Sequence, residues 1–139
     1  MKPQAPLFLS LRLALGALFA VSGFQKLAAP YQNFSAVIAQ YEIVKGPAAD
    51  VLAQTLPWLE FLGGVFFMLG LWETAALAAL VSLNLLFIGV LASALLRKLP
   101  IQDCGCFGGA VHLSPPATLG LDILFLSLFT FYYRARGRR

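Results

Sequence analysis

Four nearly unbroken apolar stretches, each long enough to cross a hydrocarbon core of about 30 Å, dominate the chain. The first covers about residues 6–28, from Pro6 to Ala28. The second runs from Leu56 to Trp72 with one or two preceding turns from Asp50, giving about 50–72, and Pro57 either starts that helix or kinks it. Only Glu73 and Thr74 separate it from the third, about 75–97, so spans two and three form a tight antiparallel hairpin. The fourth covers about 117–133, after a loop at 98–116. Between spans one and two, Phe34, Val37, Ile38 and Tyr41 follow the i, i+3, i+4, i+7 spacing of one helical face. A short helix lying in the membrane interface fits this pattern, with Pro30 in its first turn and Tyr31 and Tyr41 at headgroup level; a plain connecting loop is the alternative. The predicted fold class is therefore all-α: one integral membrane domain, residues 1–139, built as a four-helix up-and-down bundle with a short interfacial helix.

Composition agrees, at 60% hydrophobic and 12% charged residues with a mean hydropathy of +0.81. The net charge of +4 does not describe a nucleic-acid binder, because Arg134, Arg136, Arg138 and Arg139 follow directly on an apolar span. A cleavable signal peptide fits poorly, since the first apolar run holds Arg12 and ends at Phe24-Gln25-Lys26 without a small-x-small site. Lysines and arginines at the span ends set the orientation. The side with both termini has Lys2 and four C-terminal arginines, the other Lys26, Lys45, Arg97 and Lys98. The denser cluster and the free amino terminus favour cytoplasmic termini.

Each span carries a polar residue that needs a reason. Arg12 and Lys26 near the ends of span one either snorkel to the headgroups or pair with Glu60 of span two, a carboxylate expected to face the bundle interior. Asn84 in span three reads as interhelical glue, and Asp122 sits about one turn into span four. Gly16, Ala20 and Gly23 form one small-residue stripe, and Gly63, Gly64 and Gly70 thin span two for close packing.

The chemistry concentrates in Asp103-Cys104-Gly105-Cys106-Phe107-Gly108-Gly109, which holds the chain's two cysteines. A turn can bring such a pair within disulfide range, and Gly105 makes that turn inexpensive. So small a ring stabilises little: chain entropy gives roughly 1.6 kcal/mol, against about 3 for a 15-residue loop. The pair therefore reads as reactive rather than structural. Thiolate formation would be helped by Arg97, Lys98, Lys26 or the N-terminus of span four, with His112 as base; Asp103 opposes it. Two other readings stay open. Paired thiolates at Cys104 and Cys106 suit a soft metal such as Cu(I) or Hg(II), in binding or transport. Alternatively the chain is a structural anchor or maturation factor. Structural zinc is disfavoured by the single intervening residue.

The sequence resembles the MauE/DoxX group of small four-helix bacterial membrane proteins, and within it the methylamine-utilisation type, MauE. The resemblance rests on Arg12, Gly16, Phe19, Ser22, Gly23 and Lys26 in span one, Glu60 with its following glycines, the Asp103–Gly108 run, and Asp122, and it covers nearly the whole chain. It implies a bacterial inner-membrane protein concerned with thiol–disulfide chemistry outside the membrane, exchanging disulfides with thioredoxin-like or exported cysteine-containing partners. On the expected topology Cys104 and Cys106 face that oxidising compartment. A single cysteine pair needs an electron sink. Either a soluble partner supplies it or a quinone does, by architectural analogy with the vitamin K epoxide reductase type of membrane enzyme.

Overall fold

The computed structural model describes residues 6–101 and 112–138, and all of its regular structure there is helical. Helix α1 spans Pro6–Ala28, α2 Tyr31–Gln40, α3 Pro47–Leu69, α4 Glu73–Leu96 and α5 Pro115–Gly137. All except α2 are long and apolar enough to cross a membrane. A third or less of each span's most apolar stretch is buried within the chain. The remainder presents large apolar side chains such as Leu18, Phe24, Leu62, Leu85 and Ile123 outward, as lipid contact requires.

The first span has the expected bounds, while the other three shift for local reasons. Helix α3 begins at Pro47, because a proline at the first helical position loses no hydrogen bond; Pro57 thus lies inside the helix. The hairpin turn is Gly70–Trp72, not Glu73–Thr74. Gly70 adopts φ 73°, its N–H bonds to the Phe67 carbonyl at 3.2 Å, and Leu71 N–H bonds to Phe66 O at 2.9 Å, which closes α3 in a Schellman motif. Gly70 is therefore a helix stop, and it also leaves room for the Arg12 side chain of α1. Helix α5 takes Pro115 and Pro116 into its first turn and continues to Gly137, past the expected end at 133.

The tightest seam joins α1 to α3. A Cβ on Gly64 would come within 2.5 Å of Ala20 N, one on Gly23 within 2.6 Å of Phe61 N, and one on Gly16 within 2.8 Å of Gly64 O. Backbones this close leave no room for side chains, so the small-residue stripe of α1 meets Gly64. Gly63, one residue on and rotated by about 100°, faces Leu80 of α4 instead. Helices α4 and α5 pack against each other, and α3 packs on α4. The gap between α1, α3 and α5 is filled by Phe19, Phe67, Phe129 and Tyr132, whose rings meet edge-on or tilted at 5.3–5.8 Å.

The start of α1, the α3–α4 turn and the end of α5 share one end of the bundle, where Phe8 stacks on Phe131 and Arg136 reaches Thr74 at 3.2 Å. Helix α2 lies at the other end against α3, tied by the Ser35 hydroxyl donating to Asp50 at 2.6 Å. Tyr41, at the end of α2, is buried with Leu91 and Ala94 of α4, and its carbonyl accepts from the Arg97 guanidinium.

Candidate functional site

The Lys26–Glu60 pair is the most deeply buried charge in the described chain. Antiparallel packing of α1 on α3 sets Gly23 beside Pro57 and Phe61, which brings Lys26 near the Glu60 level. Helical side chains lean toward the N-terminus of their own helix. Lys26 therefore bends inward rather than snorkelling out, and its ammonium donates to Glu60 Oε2 at 2.7 Å and to Ser22 Oγ at 3.0 Å. Side-chain exposures are 1% for Lys26 and 4% for Glu60. At that depth neither ion is stable without the other. The ammonium also lies 5.4 Å from the Phe34 ring of α2 and 5.7 Å from the Phe87 ring of α4, so four elements converge on one cation.

Arg12 is not the partner of Glu60. It lies at the opposite end, where its guanidinium would stand 3.0 Å from a Cβ at Gly70. The acidic group at that end is Glu73, which accepts from the Tyr132 hydroxyl and has Arg136 at 3.9 Å.

A second polar pair joins the other two helices. Asn84 of α4 donates to Asp122 of α5 at 3.4 Å, both residues being buried, which fits the interhelical role expected of Asn84. Between the two pairs lies a cavity of about 20 Å³ lined by Ser22, Glu60 and Asp122 together with Leu18, Phe19, Phe87 and Phe125. That volume suits a single water with two to four polar partners. Glu60 and Asp122, far apart in sequence, thus border one small cavity whose walls are otherwise mostly apolar.

Cys104, Cys106 and Asp103 lie outside the described residues, as does most of the 98–116 loop. The flanks of that segment are described. Leu99 and Ile101 on one side and Leu119 on the other pack against the cluster of Tyr41, Leu91 and Ala94. Both ends of the cysteine segment are therefore fixed at the α2 end of the bundle, the end to which Lys26 belongs. His112, exposed, stands just before α5. Among the described residues no three of His, Cys, Asp and Glu gather as metal ligands.

Three contributors escaped the sequence reading. Ser22 appeared only as part of a pattern, and the aromatic flanks Phe34 and Phe87 look like ordinary apolar positions. The signal for Ser22 is its spacing of one turn before Lys26 on the buried face; Phe34 enters only through the apolar face it shares with Val37, Ile38 and Tyr41, and nothing in the sequence marks Phe87.

The chain matches the family model of the methylamine utilisation protein MauE over residues 4–134. No curated protein and no solved structure matches it. This protein belongs to the MauE family.

Proposed function

We propose that this MauE-family membrane protein exchanges disulfides with extracytoplasmic partners through Cys104 and Cys106. The observation that carries this reading is the placement of the chain's two cysteines, one residue apart, in a segment whose flanks are both anchored at the same end of the bundle. In the oxidised protein, a partner thiolate attacks one sulfur of the Cys104–Cys106 disulfide. The partner–protein S–S bond forms and the other cysteine leaves as thiolate. A second partner thiolate then attacks the partner sulfur of the mixed disulfide, which leaves the partner oxidised and the cysteine pair reduced by two electrons. Oxidation back to the disulfide passes those electrons to an acceptor.

The topology that this reading needs gains support from Lys26. Because it is buried and paired, it drops out of the surface charge on its side, leaving Lys45, Arg97 and Lys98 against Lys2 and the four C-terminal arginines. The termini are then cytoplasmic and the cysteine segment extracytoplasmic. Partners are thioredoxin-like or exported proteins with a reactive cysteine pair.

Single Cys104→Ser and Cys106→Ser variants test the proposal. Each should abolish disulfide formation in exported substrates while the bundle stays folded. One of the two should accumulate a mixed disulfide, seen as a reducible higher-mass band, when an oxidised partner is supplied: in the reverse of the exchange its remaining thiolate attacks the partner disulfide, one partner cysteine leaves as thiolate, and the second cysteine of this chain that would resolve the intermediate is gone. Full activity in both variants would overturn the reading.

A further inference from the structure

A second, larger cavity lies beneath α2, enclosed by α2, α3 and α4, with a volume of about 150 Å³. Its walls are apolar except for Lys26 and Tyr41. Val37, Val90, Tyr41 and Leu91 belong both to this wall and to the cluster that anchors the flanks of the cysteine segment. We propose that this cavity binds the ring of a membrane-dissolved quinone, with the Lys26 ammonium donating a hydrogen bond to a ring carbonyl.

Four observations select that class of ligand. First, the volume equals that of engineered apolar cavities that admit a single benzene ring, about 150 Å³. Second, the one cation in the cavity is already neutralised by Glu60 at 2.7 Å, so a charged ligand would bring an uncompensated charge into an apolar space, while a neutral one would not. Third, an ammonium has three donors, and among the described residues Ser22 and Glu60 take two. A carbonyl oxygen, an acceptor without a proton of its own, satisfies the third. Fourth, Phe34 and Phe87, whose faces hold the ammonium in place, also line the cavity and offer aromatic contact to a flat ring beside it. Ile43, more than half exposed, stands at the rim, giving an apolar tail a way out to the bilayer.

The site rests on the thiol-exchange reading for its purpose. When the Cys104 and Cys106 thiols become a disulfide, two S–H bonds break and one S–S bond forms. The two electrons and two protons released reduce the quinone to the quinol. The quinone is thus the oxidant that the cysteine pair requires.

The experiment uses the full chain in lipid nanodiscs. A benzoquinone with a decyl tail is titrated by equilibrium dialysis, and an azido derivative is photo-crosslinked and mapped by mass spectrometry. Saturable binding is expected, with adducts confined to residues 34–44, 52–56 and 86–91. Lys26→Met/Glu60→Gln, which removes both charges together, should weaken binding at least tenfold. Val90→Trp, which fills the cavity without touching the ion pair, should abolish it. Both variants are checked for helical content and a monodisperse elution profile. Adducts elsewhere, unchanged affinity in both folded variants, or equal competition by a decyl chain lacking the ring would overturn the proposal, the last marking an acyl-chain pocket. A Cys104→Ser/Cys106→Ser protein must bind as the natural one does, which separates the two claims. If the natural protein binds no quinone while its single cysteine variants are inactive, the site is wrong and the exchange reading stands. If it binds quinone while those variants stay active, the reverse holds.

Discussion

The two ends of the bundle handle their polar groups in opposite ways. At the hairpin end, a glycine-stopped turn brings α3 and α4 together, aromatic rings fill the space, and Glu73 is shared between Tyr132 and Arg136, whose side chain is 43% exposed. Charge there has access to headgroups and water. At the other end α2 is wedged beside α3 and α4, a ring-sized cavity remains under it, and the ion pair Lys26–Glu60 is shut away at 1% and 4% side-chain exposure. A membrane protein has no cause to bury an ion pair for solubility, and a bundle held only by packing would fill that space with leucine. The difference is one of access: charge at the hairpin end meets water, while the pair at the α2 end is sealed beside the cavity proposed to hold a ring.

This contrast sets the order of mutational effects. The largest belongs to Glu60→Gln, which leaves the buried ammonium without its counter-ion and should cost about 3–5 kcal/mol in an unfolding titration in mixed micelles. Replacing both partners in Lys26→Met/Glu60→Gln should recover most of that loss. A full effect in the double variant would show that packing at these positions matters more than charge.

Next comes the seam that joins the two ends. Gly64→Ala forces its new methyl to 2.5 Å from the α1 backbone, and overpacking of this kind costs about 1–3 kcal/mol. Gly89→Ala in α4 meets nothing within 4 Å and should be neutral or slightly stabilising, so the pair distinguishes close approach from a general effect of glycine. The smallest effect is Arg136→Ala at the hairpin end, below about 1 kcal/mol, because partly exposed ion pairs contribute little. If Arg136→Ala destabilised as much as Glu60→Gln, the proposed asymmetry between the ends would fail.

Much of the fold could be read directly. Four apolar runs and the stripe of Gly16, Ala20 and Gly23 announce a bundle with one tight seam, and a lone carboxylate at Glu60 announces an interior partner. Which partner was not legible. Arg12 and Lys26 are equally plausible in sequence, and only the antiparallel register, with Gly23 against Phe61, decides for Lys26. The cavity was invisible for a similar reason. Phe34, Val37, Leu86 and Val90 are apolar wherever they point, and whether they fill a space or line one depends on how far α2 stands from α4. That Tyr41 packs against Leu91 and Ala94 was likewise not legible, because a tyrosine near a span end reads as a headgroup anchor whether or not its ring is covered by the chain.

The proposal on which the rest depends is that Cys104 and Cys106 cycle as one two-electron unit. The most direct measurement is their redox state in native membranes, read by acid quenching and gel shift with a thiol-reactive polymer, with and without added Cu(I) or Hg(II). The account predicts a pair found oxidised at steady state, reduced when a reduced thioredoxin-like partner is supplied in excess, and reoxidised once that partner is removed, with metal making no difference. A pair that is permanently reduced and becomes protected from the reagent only when metal is added would contradict it.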